Sequence, residues 1–460
     1  MKTPEHCEFH DVLFQEQHEI KPMNRLKSIL MISLISNLHV YAQDSTDSIK
    51  QETFSIHAQT TFISQYKPAL HARYTGTNSL LPTQETQLST TLTLFLGARL
   101  CHGASVFLNP EVAAGSGLSG SLGVGASTNG ETYRIDNTAP SFELARLYIT
   151  QIFSLNNEEV FQESDQNKIS GFMPISYLSL TVGKICVSDF FDLNVYSHDP
   201  RTQFMSWALM SNGAWDFPAN TRGYTPSIVL AWVTPLNEIR YGFSLLPLVA
   251  NGMAMNWNIG KAGSQTVEYT RRYSLAGKKG AVRVASYLNI CNMGNYDEST
   301  ALNPTAPDIK ATRKEGRTKY GIVVNTEQSI TNDIGAFFRA GWNDGNNETW
   351  VFTEIDRTVS LGLSSSGSRW RRPEDRVGLA HVVSGLSSQH VNYLKAGGKG
   401  FELGDGKLNY ALENLTEFYY SFQLTKDISL SATYQHIINP GYNKDRGPVD
   451  VLSARMHLQI

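Results

Sequence analysis

"LSTTLTLFLGAR", residues 88–99, puts Leu88, Leu92, Leu94 and Leu96 on one face of an extended chain and Thr91, Thr93 and Arg99 on the other. Successive side chains of a strand point to opposite faces, so the segment predicts a strand with one apolar and one polar side. Three further stretches repeat the pattern. "FSIHAQTTF" at 54–62 sets Phe54, Ile56, Ala58 and Phe62 against Ser55, His57, Gln59 and Thr61. "NLTEFYYSFQLT" at 414–425 sets Phe418, Tyr420, Phe422 and Leu424 against Glu417, Tyr419, Ser421 and Gln423. "VLSARMHLQI" at 451–460 sets Leu452, Ala454, Met456, Leu458 and Ile460 against Ser453, Arg455, His457 and Gln459. These strands run to about ten residues, where strands of globular proteins usually have five or six. About ten is what a tilted strand needs to cross a bilayer.

About sixteen such segments can be placed, near 54–64, 86–99, 104–111, 141–153, 176–184, 225–233, 239–248 and 266–275, then 280–290, 319–328, 334–342, 357–365, 376–384, 415–425, 428–438 and 449–460. The connections alternate between short ones such as "LCHGA", "TPLNE", "AGKKG", "QSITND" and "LTKDIS" and long ones at 65–85, 112–140, 185–224, 291–318 and 385–414. Outer-membrane barrels have short periplasmic turns and long external loops, and an even strand count leaves both termini in the periplasm. One connection departs from this rule: 154–175 should be periplasmic yet is long and polar, which marks either an insertion or a miscount of one hairpin. Backbone groups in lipid find no water, so every strand must be paired and the first must close on the last. Sixteen strands leave an aqueous lumen. The expected fold is therefore all-β, a transmembrane antiparallel β-barrel of about 16 strands that conducts solutes. The alternative is a secreted soluble β-rich carbohydrate-binding protein or glycoside hydrolase, which would alternate in the same way but need no detergent.

The 460 residues carry a net charge of −3, which gives no support for a nucleic-acid partner. "MNRLKSILMISLISNLHVYAQDS", from Met23, has the layout of a secretory signal peptide. Arg25 and Lys27 precede an apolar stretch from Ser28 to Val40, and Val40 and Ala42 suit cleavage before Gln43. The expected organisation is a mis-assigned extension at 1–22, a signal peptide at 23–42, a short periplasmic lead at 43–53 and the barrel at 54–460. Cys101, Cys186 and Cys291 show neither disulfide nor zinc spacing, and no cofactor or metal is expected. Asn439, Asn443, Asp445 and Asp450 in "NPGYNKDRGPVD" lack calcium-loop spacing and read as an external turn. Glu354 and Asp356 read as wall ion pairs beside Arg357 rather than as a glycosidase pair. His57, His381, His436 and His457 have no nucleophile motif beside them, and catalytic residues are expected to be none. "SSSGSRWRRPEDR" reads as a solvated periplasmic turn.

The third and longest external connection, 185–224, contains "SHDPRTQFMSWALMSNGAWDFPANTRGY", whose apolar residues keep neither a strand nor a helix period. Long irregular loops are uncommon and usually functional. This one is expected to fold inward and narrow the channel. Arg201, Arg222, Asp199 and Asp216 can hydrogen-bond hydroxyls, and Trp207, Trp215 and Tyr224 can stack on the apolar face of a sugar ring. Parity places Arg99, Arg146, Tyr148, Arg283, Arg339 and Arg455 on the non-lipid face, since arginine facing lipid at the midplane costs about 2–4 kcal/mol.

The chain resembles the OprB carbohydrate-selective porins of Gram-negative outer membranes. The resemblance rests on "FSIHAQTTFISQYKPAL", "TLFLGARL", "FLNPEVAAGSGLSG", "ELARLYITQIF", "VGKICVSDFFDLNVYSHDPRTQFMSWALMSNGAWDFPANTRGYT", "GRTKYGIVVNTEQ", "WVFTEIDRTVSLGLS", "FELGDGKLNY" and "INPGYNKDRGPVDVLSARMH". It covers nearly the whole predicted mature chain. It implies a sixteen-stranded barrel that passes sugars by diffusion through a narrowed, arginine-bearing channel. Small sugars would be the transported solutes, and outer-membrane lipid and the barrel-assembly machinery the macromolecular surroundings. The chain ends in Ile460, where such barrels often end in an aromatic residue.

Overall fold

The computed structural model describes residues 51–131 and 137–460. The expected extension, the signal peptide and most of the short lead lie outside the described residues. The wall opens with β1 (Phe54–Lys67), β2 (Glu85–Cys101), β3 (Ala104–Gly115) and β4 (Asn137–Ser154). Two short strands, β5 (Glu159–Gln162) and β6 (Gly171–Pro174), pair with one another in a separate two-stranded sheet. The wall resumes with β7 (Tyr177–Ile185), β8 (Thr225–Val233), β9 (Asn237–Ser244), β10 (Gly263–Leu275), β11 (Lys278–Met293) and β12 (Lys314–Ser329). It is completed by β13 (Ile334–Asn343), β14 (Arg357–Gly367), β15 (Arg372–Gly385), β16 (Glu413–Gln423), β17 (Ile428–Ile438) and β18 (Val449–Gln459).

Sixteen of these strands form one closed antiparallel barrel, with β4 paired directly to β7 and β1 to β18. At the closing seam Thr61 lies opposite His457 and Ile63 opposite Arg455. The sixteen wall strands are the sixteen segments that alternation picks out. The connection at 154–175 is thus an insertion, and the strand count needs no added wall hairpin.

The alternation sorts side chains as a lipid-facing wall requires. On β2, Leu88 is 64% exposed while Thr91 and Thr93 are almost fully buried. Outward apolar side chains continue around the barrel, among them Ile149, Leu230, Tyr269, Ile322, Leu361 and Leu452. An apolar belt of this extent is a surface that lipid covers. No helix among the described residues is long and apolar enough to cross a membrane.

The inside is more filled than sixteen strands alone would leave it. Leu80, Leu118, Trp215, Trp350 and Phe352, all from external connections, are buried in one apolar cluster with the wall side chains Val229, Tyr287, Val323 and Phe337. The external connections therefore build a core inside the lumen. Glu354 and Asp356 belong to this interior. Glu354 accepts the backbone N–H groups of Glu402 and Leu403, at 3.0 and 2.6 Å, while Asp356 meets His390 Nδ1 at 3.0 Å and Lys319 Nζ at 3.6 Å. The oxygens of the 439–450 turn go to separate partners: Asp445 pairs with Arg73 at 3.2 Å and Asp450 with His436 at 2.7 Å.

Candidate functional site

The third of the eight external connections, residues 186–224 and here called loop 3, leaves β7 at Cys186 and rejoins the wall at Thr225. Inside the barrel its irregular backbone needs partners, because buried amides and carbonyls are costly when unpaired. Wall charges supply them. Arg339 on β13 is fully buried; it meets Asp192 Oδ2 at 3.1 Å and donates to the carbonyls of Leu209 and Ser197 at 2.8 and 2.7 Å. Arg455 on β18 donates to the carbonyls of Pro200 and Gln203 at 2.5 and 2.9 Å. Glu417 on β16 accepts the backbone N–H groups of Met205 and Ser206 at 2.5 and 3.0 Å, and Glu268 on β10 accepts that of Asp192 at 2.8 Å. Ser206 caps the single turn Trp207–Met210.

Loop 3 leaves open a cavity of about 630 Å³ between itself and inward side chains of β1, β2, β4, β7 and β9. A second cavity of about 210 Å³ lies toward the periplasm, and the two share Tyr148, Tyr177, Phe190, Asn167, Lys168 and Arg240. The larger cavity is bordered by paired charges. Arg146 forms a two-pronged contact with Asp189 at 2.6 and 2.9 Å. Arg201 lies 3.0 Å from Glu131 of the second external connection and 3.7 Å from Asp199. Arg222 lies 3.3 Å from Glu143, which also takes Lys184 at 2.6 Å. The Tyr224 hydroxyl donates to Glu111 at 3.0 Å, and its ring lies 5.2 Å from the Arg146 guanidinium carbon.

Burial works against the Arg201 charge, but Glu131 and Asp199 hold its pKa above the ordinary guanidinium value. Burial would raise Asp199, yet Arg201 and its backbone N–H keep that carboxylate below its usual range. At Glu131 burial outweighs Arg201 and the Thr91 hydroxyl, so its pKa lies above the ordinary value. Apolar surface completes the lining: Trp207 stacks on Phe352 with centroids 5.5 Å apart, and Phe217 lies 4.2 Å from Phe352.

Residues 77–460 match the carbohydrate-selective porin family OprB. The chain belongs to the OprB family. Its fold is similar to that of Pseudomonas putida OprB at high pH, with a TM-score of 0.69 at 16% identity over 89% of this chain and 94% of that one. The low-pH structure of the same protein gives 0.49 at 13% identity over 89% and 93%. The outer membrane channel DcaP of Acinetobacter baumannii gives 0.47 at 10% identity over 88% and 97%. No curated protein matches the chain. This OprB-family porin is thus an outer-membrane channel of a Gram-negative bacterium, consistent with passive diffusion through its barrel.

Of the residues picked out from sequence, Asp199, Arg201, Trp207, Arg222, Tyr224, Arg146 and Tyr148 border the larger cavity of the porin. Arg99 borders the smaller one, where it donates to the carbonyls of Glu52 and Ser170. Trp215 and Asp216 stand behind the lining. Trp215 is 2% exposed and lies edge-on to Phe191. Asp216 accepts the backbone N–H groups of Trp350, Val351 and Phe352 at 2.8, 2.8 and 3.2 Å, which places Val351 and Phe352 at the cavity. Arg283 pairs with Glu327 at 3.0 Å. Sequence reasoning missed Glu131, Glu143, Asp189, Phe190 and Arg240. Arg240 sits on a wall strand, where a cation on the inner face was a usable signal; Glu143 is turned inward by a register shift in β4 and Glu131 sits in an irregular loop, so neither offered one.

Proposed function

We propose that this porin passes small neutral polyhydroxylated solutes, sugars above all, along the route between loop 3 and the β1–β9 side of the wall, and performs no chemistry on them. The observation that carries this reading is the pairing of cations and carboxylates at one narrow cavity. Arg146 with Asp189, Arg201 with Glu131 and Asp199, and Arg222 with Glu143 each present donors and acceptors side by side. A sugar hydroxyl both donates and accepts, so it can join such a pair without requiring a net charge. Trp207, Phe217 and Phe352 add apolar surface to the lining of the same cavity. Asp216, Trp215, Arg339 and Arg455 serve this site indirectly, by seating loop 3 and its neighbours. Delivery to the membrane follows cleavage of the 23–42 segment, and the mature chain then begins near Gln43.

Swelling of proteoliposomes in isotonic sugars and salts tests the reading. The wild-type protein should admit neutral hexoses faster than salts of similar size, and the joint Arg201→Ala, Arg222→Ala variant should lose that preference roughly severalfold while staying heat-modifiable on gels. Equal permeation of sugars and salts by both proteins would overturn it.

A further inference from the structure

We propose that the periplasmic hairpin 155–176 is the inner jaw of the passage, and that its tip builds a second neck in contact with the solute, below loop 3. The proposal rests on the reading of this passage as the sugar route. Periplasmic turns of outer-membrane barrels are ordinarily short, yet this connection carries its own pair of strands. It is not a solvated flap. Ile169 is 3% exposed and lies over Gly97 on β2, where an added Cβ would run into Ser55 Oγ of β1 and stand 3.1 Å from Phe107 and 3.2 Å from Ile169.

The tip is tied to the wall at several heights. The Ser170 carbonyl accepts from Glu52 N–H and from Arg99, each at 3.1 Å. His57 Nε2 meets Ser164 Oγ at 3.0 Å, Gln166 donates to Gln59 at 2.8 Å, and Asn109 donates to Asn167 at 2.8 Å. Asn109 lies directly across the sheet from Arg146. The tip therefore reaches the level of the guanidinium that borders the upper cavity.

At that level six residues border both cavities: Tyr148, Tyr177 and Phe190 with aromatic faces, and Asn167, Lys168 and Arg240 with polar groups. Two of them belong to the hairpin. The Lys168 side chain is half exposed and is held by Asp165 of the same tip at 2.8 Å, which leaves ammonium protons for a passing hydroxyl. Rings for stacking beside donors for hydroxyls suit a sugar leaving loop 3.

The test uses full-length protein in a background with Cys101, Cys186 and Cys291 replaced by serine. Lys168→Cys, reacted with a bulky water-soluble thiol reagent from the periplasmic side, should lose roughly half of its single-channel conductance. Saturating glucose should slow the reaction. Complete reaction with unchanged conductance overturns the jaw, and a reaction rate indifferent to glucose overturns the solute contact. Replacing 157–174 by a Gly/Ser turn should raise conductance roughly twofold while the barrel stays heat-modifiable. If the joint Arg201→Ala, Arg222→Ala variant loses the preference for sugars over salts but neither hairpin variant changes conductance, the passage stands and the jaw falls; if all three are silent, both fall.

Discussion

Loop 3 meets the barrel on two sides, and both contacts are made largely by arginines and carboxylates. On the β10, β13, β16 and β18 side, Arg339 and Asp192 have side chains 0% and 2% exposed, and their hydrogen bonds run to loop backbone. On the passage side, Arg201 and Asp199 have side chains 19% and 38% exposed at a cavity. The residue types are the same and the burial differs. A fully buried pair has no room to exchange a partner for a solute and can only seat the loop. A pair that reaches water can admit a hydroxyl between its members. Inward parity therefore does not decide what an arginine does; what stands across the lumen from it does.

The comparison can be broken most forcefully by removing the loop. Replacing 199–224 by a short Gly/Ser linker should raise single-channel conductance severalfold and erase discrimination among sugars. Arg455 and Glu417 would lose their loop partners, but the opened lumen would hydrate them, so the closed ladder should survive. Unchanged conductance in a folded, heat-modifiable barrel would place the passage elsewhere.

Next in size is Arg339→Met, which strands Asp192 in the interior. Breaking a buried pair by removing one partner costs about 3–5 kcal/mol. The expected result is an unseated loop 3, seen as larger and noisier currents in planar bilayers from a barrel that still shifts on heating. Quiet currents of wild-type amplitude would mean that the seating lies in other contacts.

Single changes on the passage side should act more gently. Arg201→Ala or Arg222→Ala should alter ion preference more than size cut-off, because a fixed charge beside low-dielectric walls acts strongly on ions. Reversal potentials under a salt gradient report the first and swelling with graded sugars the second.

The smallest effect is a pH dependence. Glu131 titrates above the ordinary carboxylate range and Asp199 below it. As pH falls from neutral, Glu131 takes up its proton first and Arg201 loses one of its two negative partners. Anion preference should therefore rise on mild acidification, before Asp199 protonates. Glu131→Gln should show the raised preference already at neutral pH and lose the step. A step that persists in that variant would assign it to another group.

Much of the wall was legible because period-two alternation is a direct consequence of a lipid face and a polar face. Thr225–Val233 and Ile428–Ile438 begin and end where alternation says they should. Others extend past it: β12 begins at Lys314, where the ladder continues with polar residues that no lipid contact constrains. On β4 the register shifts between Leu144 and Arg146, opposite Pro110 and Asn109. Ala145 is the extra residue, so Glu143 turns inward with Arg146 although the two are an odd number of positions apart. No reading of alternation alone would bring them to one face. The filled lumen was hidden for a different reason. Loop residues such as Leu80, Trp350 and Phe352 have no period to read, and their burial depends on elements distant in sequence. The periplasmic hairpin announced itself only as an exception to the loop-length rule.

The central claim is that solute passes on one side of loop 3 and not the other, and thiol modification at two of its residues tests it most directly. Met210 borders the 630 Å³ cavity, whereas Val195, 65% exposed, borders a separate cavity beside Asn332, Ser364 and Arg376. In a background with Cys101, Cys186 and Cys291 replaced by serine, Met210→Cys and Val195→Cys would each be reacted to completion with a bulky charged thiol reagent, with single-channel conductance and sugar-driven swelling recorded before and after. The account predicts that modification at 210 blocks both and that modification at 195 leaves both intact. Block at 195 with an open channel at 210 would contradict it.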